Sequence, residues 1–301
     1  MPAPAHLVIG IFDGVHLGHR AILDQAARAA AADGGRVVVL TFWPHPSGVL
    51  RPGQAVPMLY DRKMRARLLA EAGADEVLFQ EFTAEFASMA AEHFPEFLKE
   101  AVAGLKTVSV GQGFRFGQGR RGDAALLVEA GRKAGLEVRP VPRVDQGGEP
   151  LSSTRIREIL AGGDVAGANA LLGRPYLAAG RIVSGDSIGR EIGFPTFNMD
   201  WRPGLQPAYG VYAVEAVFPE SGPQAHAGVA NYGCRPTVAG ADAEPLLEVH
   251  LLVEPPQEPG ASMEVAFLHH IRPEQKFDSV EDLAKRIETD VGMAKKLLAE
   301  T

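Results

Sequence analysis

Cysteine is nearly absent: Cys234 is the only one in 301 residues. A single thiol excludes an internal disulfide and any cysteine-built zinc site, and it reads as a small buried or half-buried filler. No apolar run approaches the roughly 20 residues needed to cross a bilayer. The opening MPAPAHLVIGIFDG has no basic stretch before its apolar residues, so it does not read as a secretion signal. These absences predict a cytoplasmic protein with no membrane partner. Positive charge is also scarce, with 30 Lys and Arg against 37 Asp and Glu and a net charge of −7. That balance argues against general nucleic-acid binding but leaves small anions open, since they respond to local charge. Two nucleotide signatures are missing. There is no GxxxxGK[ST] run, and GQGFRFG at 111–117 has the wrong glycine spacing for a dinucleotide-binding turn. Nothing in the sequence sets an oligomeric state.

What is present divides into two halves with different patterning. In the first, apolar runs such as HLVIGIF (6–12), RVVVLTF (36–42), DEVLF (75–79), KTVSVG (106–111) and LEVRPVP (136–142) alternate with helical stretches. Continuous apolar strands between helices predict a parallel sheet covered on both faces, with ligands beyond the carboxyl ends of its strands. From about Arg174, apolar runs are separated by Gly and Pro, as in YGVYAVEAVF, LLEVHLLVE and MEVAFLHHI, which predicts a closed or nearly closed antiparallel barrel. A final amphipathic helix opens with capping-box spacing from Ser279 to Asp282. Two short helices over 152–172 are expected to bridge the halves. The expected domains are therefore 1–172, an α/β Rossmann-like module including the bridge, and 173–301, an antiparallel barrel with a terminal helix.

The first strand runs directly into FDGVHLGH. Gly14 and Gly18 allow tight turns and let backbone N–H groups approach an anion at a helix N-terminus. His16 and His19 are three apart and can face one ligand there. The pair reads as phosphate contacts, as caps of a surface turn, or as two zinc ligands lacking a third. Farther on, Ser153 and Thr154 in LSSTRIREIL offer hydroxyls at a helix start, with Arg155 and Arg157 adding charge; a plain helix cap fits equally well. Arg115, Arg120 and Arg121 form a Gly-flanked cluster that reads as solvated loop or phosphate contact.

In the second half, GRIVSGDSIGREIGFPTFNMD carries Gly185, Gly189 and Gly193, whose N–H groups suit a wrapped diphosphate. Thr196 and Asn198 share one face of an extended segment, and a hydroxyl with an amide oxygen suits Mg²⁺. A Gly-rich hairpin with two polar strand residues is the plainer alternative. Glu248 in LLEVHLLVE is either an exposed alternation residue or a functional carboxylate. His269 and His270 read as exposed strand-end residues.

GIFDGVHLGH together with SSTRIR resembles the adenylyl-transfer module of the bacterial bifunctional riboflavin kinase/FAD synthetase family. GREIGFPTFN, YGVYAV, GVANYGCRPT, LEVHLL and IRPEQKF resemble, in order and spacing, its riboflavin kinase module. Together these cover nearly the whole chain. The resemblance implies a nucleotidyltransferase fold joined to a six-stranded barrel. It implies riboflavin, FMN and ATP as small-molecule ligands, FMN and FAD as products, and Mg²⁺ as the metal. It further implies that His16 and His19 hold ATP phosphates, with Asp13 at the same mouth, and that Ser153, Thr154 and Arg157 grip the pyrophosphate end. Thr196 and Asn198 would hold metal and phosphates, and Glu248 would be the general base for the riboflavin 5′-hydroxyl. Asn231, Arg235 and Thr237 would line the neighbourhood. Two departures stand out: Gly113 replaces the Asp or Asn usual before FRFG, and the Tyr usual before the MEVAFLHHI strand is missing. A single-activity kinase, a non-catalytic flavin binder and a cytidylyltransferase are the competing readings. The joint presence of Glu248, Thr196, Asn198, His16, His19 and Arg157 argues against the binder, and the kinase-like second half against the cytidylyltransferase.

Overall fold

The computed structural model describes residues 2–184, 188–234 and 245–300. Contacts group the chain into two units, Met1–Ser153 and Thr154–Thr301. The first contains, in chain order, β1 (Ala5–Ile9), α1 (Leu17–Asp33), β2 (Arg36–Trp43), α2 (Pro46–Leu50), α3 (Arg62–Glu71), β3 (Glu76–Glu81), α4 (Ala84–Ala87), α5 (Phe94–Ala101), β4 (Leu105–Gly111), β5 (Arg115–Phe116), β6 (Gly122–Asp123), α6 (Ala124–Lys133), β7 (Glu137–Val141), β8 (Asp145–Gln146) and β9 (Glu149–Pro150). Its main sheet has the order β3-β2-β1-β4-β7, and every pairing in it is parallel. The chain builds outward from β1 to β3, then returns to the other side of β1 with β4. The strand order therefore reverses between β1 and β4, the kind of point beyond which open parallel sheets bind ligands.

The apolar runs form this sheet because both faces are covered. All five residues of β1 are buried, and Val38, Leu40, Val108 and Val110 join it in one core with Phe94, Leu98 and Phe116. The expected strand over 6–12 stops at Ile9, because Phe12 has φ of 50° and turns the chain out of the sheet. Gly34, in the left-handed region at φ 70°, ends α1 with its N–H on Ala30 O. Within FRFG, Phe116 stacks on Phe94 at 4.8 Å and Arg115 pairs with Asp123, so that segment anchors the core as well as bordering the sheet edge.

The second unit takes up α7 (Ser153–Ala161, from its second residue), α8 (Val165–Leu172), β10 (Tyr176–Val183), α9 (Ile188–Glu191), β11 (Phe197–Asp200), β12 (Gly210–Val217), β13 (Ala225–Cys234), β14 (Pro245–Leu251), β15 (Ser262–Pro273) and α10 (Val280–Ala299). The bridging helices thus group with the barrel on contacts, while the division expected from sequence follows residue 172. The strands close in the order β10-β11-β14-β13-β12-β15, antiparallel wherever they pair, and closure removes open edges. Inside lie Tyr176, Trp201, Tyr212, Tyr232 and Phe267, joined through ring contacts such as Trp201–Tyr232 at 5.2 Å. Fully burying one such ring is worth about 1.5–3 kcal/mol. Asn169 of α8 ties into β10 and β15 by donating to Phe267 O and accepting from Tyr176 N, both at 2.7 Å. On α10, Asp290 is 2% exposed and bonds Arg272 of β15 and Arg286. Ser279 caps this helix by accepting from Asp282 N, as its spacing predicts. His270 departs from expectation: it is half-buried against Tyr212, ring centroids 4.9 Å apart, and burial lowers its pKa. The strand runs on to Pro273, so residue 270 lies within it rather than at its end.

Candidate active sites

In the first unit, the turn after β1 is held in an uncommon conformation. Phe12, Gly14 and Val15 all have positive φ, at 50°, 89° and 45°. For Phe, and more so for β-branched Val, this stores of order 1–3 kcal/mol each, and such strain clusters at functional sites. The surroundings enforce it. Phe12 and Val15 are fully buried, Asp13 accepts from Leu59 N with both carboxylate oxygens at 3.0 and 3.2 Å, and Thr41 Oγ1 donates to Ile11 O. Ser153 Oγ donates to Asp13 O at 2.6 Å, tying the start of α7 to a residue 140 positions earlier.

His16 then caps α1: its Nδ1 accepts from His19 N at 3.2 Å. Because Nδ1 is the acceptor, the ring proton of neutral His16 sits on Nε2, where it can donate to a ligand. The His16 and His19 rings stack at 3.6 Å and 13°, and Phe12 packs edge-on against His19 at 5.1 Å. Gly18 is required by space. A Cβ there would meet His16 Cε1 at 3.1 Å and Nδ1 at 3.2 Å. Glycine lets the backbone pass beneath the ring at the N-terminus of α1, the positive end of the helix dipole.

Beneath this turn lies a residue the sequence does not advertise. Arg65 sits in the helical stretch DRKMRARLL, yet its side chain is 0% exposed. It donates to Thr41 Oγ1 at 2.8 Å and lies over Phe79 at 5.3 Å. Burial lowers its pKa to about 10, opposed by the Asp13 carboxylate. It remains a cation at neutral pH and bolsters the turn through Thr41. His45 caps α2 by accepting from Ser47 N.

Thr154 and Arg157 belong to the second unit by contacts. They are three apart on α7 and share a side of the helix, Thr154 exposed and Arg157 half-buried.

The barrel places its polar residues by register. Asn198 on β11 is opposite Glu248 on β14, and Glu248 is opposite Asn231 on β13. Directly opposed residues share a face with Cβ atoms about 4.5–5.5 Å apart. Glu248 is thus half-buried between two carboxamides, and Asn198 is 5% exposed. The alternating Leu247 and Val249 fill the opposite face. Thr196, two residues before Asn198, lies beside Gly189, where a Cβ would meet Phe194 O at 2.6 Å and Thr196 Oγ1 at 3.5 Å. Gly193 has φ of 86°, and Phe194 N donates back to Gly189 O, folding the segment after α9 over Thr196. His250, on the same face as Glu248, bonds Pro195 O through Nδ1 at 2.9 Å and packs on Phe194 at 5.4 Å, fixing the approach to Thr196. The two-residue spacing already puts His250 on one face with Glu248, without giving it a role. Gly185, Arg235 and Thr237 lie outside the described residues.

Among the described residues no group of three or more His, Cys, Asp and Glu could hold a metal. No described helix is long and apolar enough to cross a membrane. Both halves of the chain match known families. Residues 1–155 match the family model described as FAD synthetase, and residues 172–298 match riboflavin kinase. The bifunctional riboflavin kinase/FMN adenylyltransferase of Escherichia coli (strain K12) is 40% identical over 94% of this chain and 90% of its own length. The Bacillus subtilis (strain 168) protein of the same description is 33% identical over 96% and 90%. A crystal structure described as a macrolide-efflux protein from Streptococcus pneumoniae superposes with a TM-score of 0.87 at 30% identity, covering 98% of this chain and 95% of that one. With both modules matched in order and relatives aligned over nearly their full lengths, the chain belongs to the bifunctional riboflavin kinase/FMN adenylyltransferase family.

Proposed function

We propose that the two polar constellations described above are the two transferase centres of this enzyme, which makes FMN from riboflavin and FAD from FMN with ATP in both steps. The observation that carries the reading is that each unit holds a polar constellation: a stacked histidine pair over a helix N-terminus, and a carboxylate placed between two carboxamides. The functional boundary is taken after residue 172, where the barrel strands begin. The ligands are riboflavin, FMN and ATP, with no nucleic acid or membrane partner, in the cytoplasm.

In the barrel, Glu248 accepts the proton of the riboflavin 5′-hydroxyl as that oxygen attacks the γ-phosphorus of ATP and ADP leaves. Asn198 and Asn231 orient the carboxylate from either side. The buried Asn198 carboxamide and the Thr196 hydroxyl, beside one carboxylate, fit a hard oxygen-preferring cation that shares its shell with substrate phosphates. Such an ion, Mg²⁺, would supply charge neutralisation on the phosphates, with Thr196 and Asn198 as its protein oxygens. Gly185, Gly189 and Gly193 let backbone N–H groups close on the diphosphate.

In the first unit, an FMN phosphate oxygen attacks the α-phosphorus of ATP and pyrophosphate leaves, so no covalent nucleophile is required. His16 Nε2–H and His19 donate to the phosphates as charge builds, with Gly14 and Gly18 giving backbone access. Ser153, Thr154 and Arg157 hold the pyrophosphate end, and Asp13, pinned by Leu59 N, keeps the turn in shape.

Incubating the purified protein with riboflavin, ATP and Mg²⁺ and separating the flavins by chromatography tests this. FMN is expected first and FAD after it. FMN accumulating without FAD would leave a single-activity kinase, and unchanged riboflavin would discard the kinase centre.

A further inference from the structure

The backbone at Gly113 does not demand glycine, since its φ is outside the positive region. Space is what glycine provides. A Cβ at 113 would lie 2.9 Å from Nη2 of Arg143, 3.6 Å from Nε and 3.7 Å from Cζ, so the Nη2 end of the Arg143 guanidinium lies close to the bare Cα. Both residues lie just beyond carboxyl ends of parallel strands, Gly113 two after β4 and Arg143 two after β7. Gln112 N donates to Val141 O at 2.8 Å, tying the two loops together. This edge flanks the β1/β4 reversal, next to the turn that carries His16 and His19. Arg143 is exposed, and among the described residues it makes no hydrogen bond or ion pair. A cationic fork held over a glycine, unmatched by protein acceptors at the ligand-binding edge, suits a phosphate.

We propose that Arg143 binds a substrate phosphate in the adenylyltransferase site, occupying the room left by the missing side chain at Gly113. This rests on the adenylyl-transfer reading above. The phosphate belongs either to FMN or to ATP, and separate saturation curves identify which.

The test uses the full-length chain and four variants: Arg143→Ala, Arg143→Lys, Gly113→Asn, and Gly113→Asn with Arg143→Ala. FAD formation is measured with FMN varied and with ATP varied, and riboflavin phosphorylation is the control. Arg143→Ala is expected to raise the KM for one of the two substrates by about 10-fold, with a smaller change in kcat. Arg143→Lys should fall between wild type and Ala. Gly113→Asn displaces only the far end of a flexible side chain, so it should raise the same KM at an unchanged melting temperature. The double variant should be no worse than the poorer single one, because both remove one interaction. A KM for both FMN and ATP within twofold of wild type in Arg143→Ala, or losses that multiply in the double variant, overturns the proposal. If wild type makes no FAD from FMN, the adenylyl-transfer reading itself has failed. Equilibrium binding of FMN and ATP to wild type and Arg143→Ala then decides Arg143's role: a matching drop in affinity for one ligand keeps it, and equal binding discards it.

Discussion

The two polar constellations are built on opposite plans. In the first unit the polar set around the histidine pair sits within seven consecutive residues, Asp13 to His19, beside positive φ angles at Phe12, Gly14 and Val15, wedged by buried Phe12 and Arg65. In the barrel it sits on residues up to 50 positions apart, Asn198, Asn231 and Glu248, brought level by the register of three unstrained strands. A strained turn concentrates backbone N–H groups and ring nitrogens at one point, which suits gripping a polyphosphate. A strand row holds side chains at fixed spacing, which suits aligning a base with a hydroxyl. The lesson is that phosphate transfer can be organised either by local conformational strain or by long-range register, each leaving a different trace in sequence.

Glu248→Gln separates the plans most sharply. FMN formation is expected to fall by about 10²–10⁴, while FAD formation from supplied FMN stays near wild type; simultaneous loss of both steps would end the two-site comparison. Asp290→Ala probes the barrel's frame. Removing it strands Arg272, whose side chain is 12% exposed, and is expected to destabilise the barrel by about 3–5 kcal/mol in denaturant unfolding. His16→Ala is the converse of the Glu248 change, lowering FAD formation by about 10²–10³ with riboflavin phosphorylation retained. Gly18→Ala tests the local plan alone. The added Cβ must push the His16 ring aside by tenths of an ångström, and FAD formation is expected to drop roughly 10-fold. The smallest effect concerns acid stability of the first unit. Asp33 is held at about 2, below the ordinary 3.8, by hydrogen bonds from Lys106 and then His6. A depressed carboxylate stabilises the fold above about pH 4, and that contribution is lost as pH falls toward 2. Asp33→Asn should flatten stability between pH 4 and 2, measured by thermal melts.

The strand, turn and helix start around His16 and His19 were legible because they are neighbours in the chain, and their spacing is written in order. What spacing omits is the support. Arg65, one charge among several on its helix, is fully buried, and the Ser153–Asp13 bond joins segments 140 residues apart. In the barrel, alternation predicted that Glu248 leaves the face shared by Leu247 and Val249. It did not say that two carboxamides flank it, because alternation fixes a face and not a strand's neighbours.

The sequence by itself determined the two-part architecture and the identity of the chemical groups, because apolar periodicity and glycine placement act over a few residues and are written in order. Only the tertiary structure decided which of those groups meet, that Glu248 lies between Asn198 and Asn231 and that the Arg143 guanidinium covers Gly113. Strand register and loop packing are set by long-range burial, and no local pattern encodes the partner.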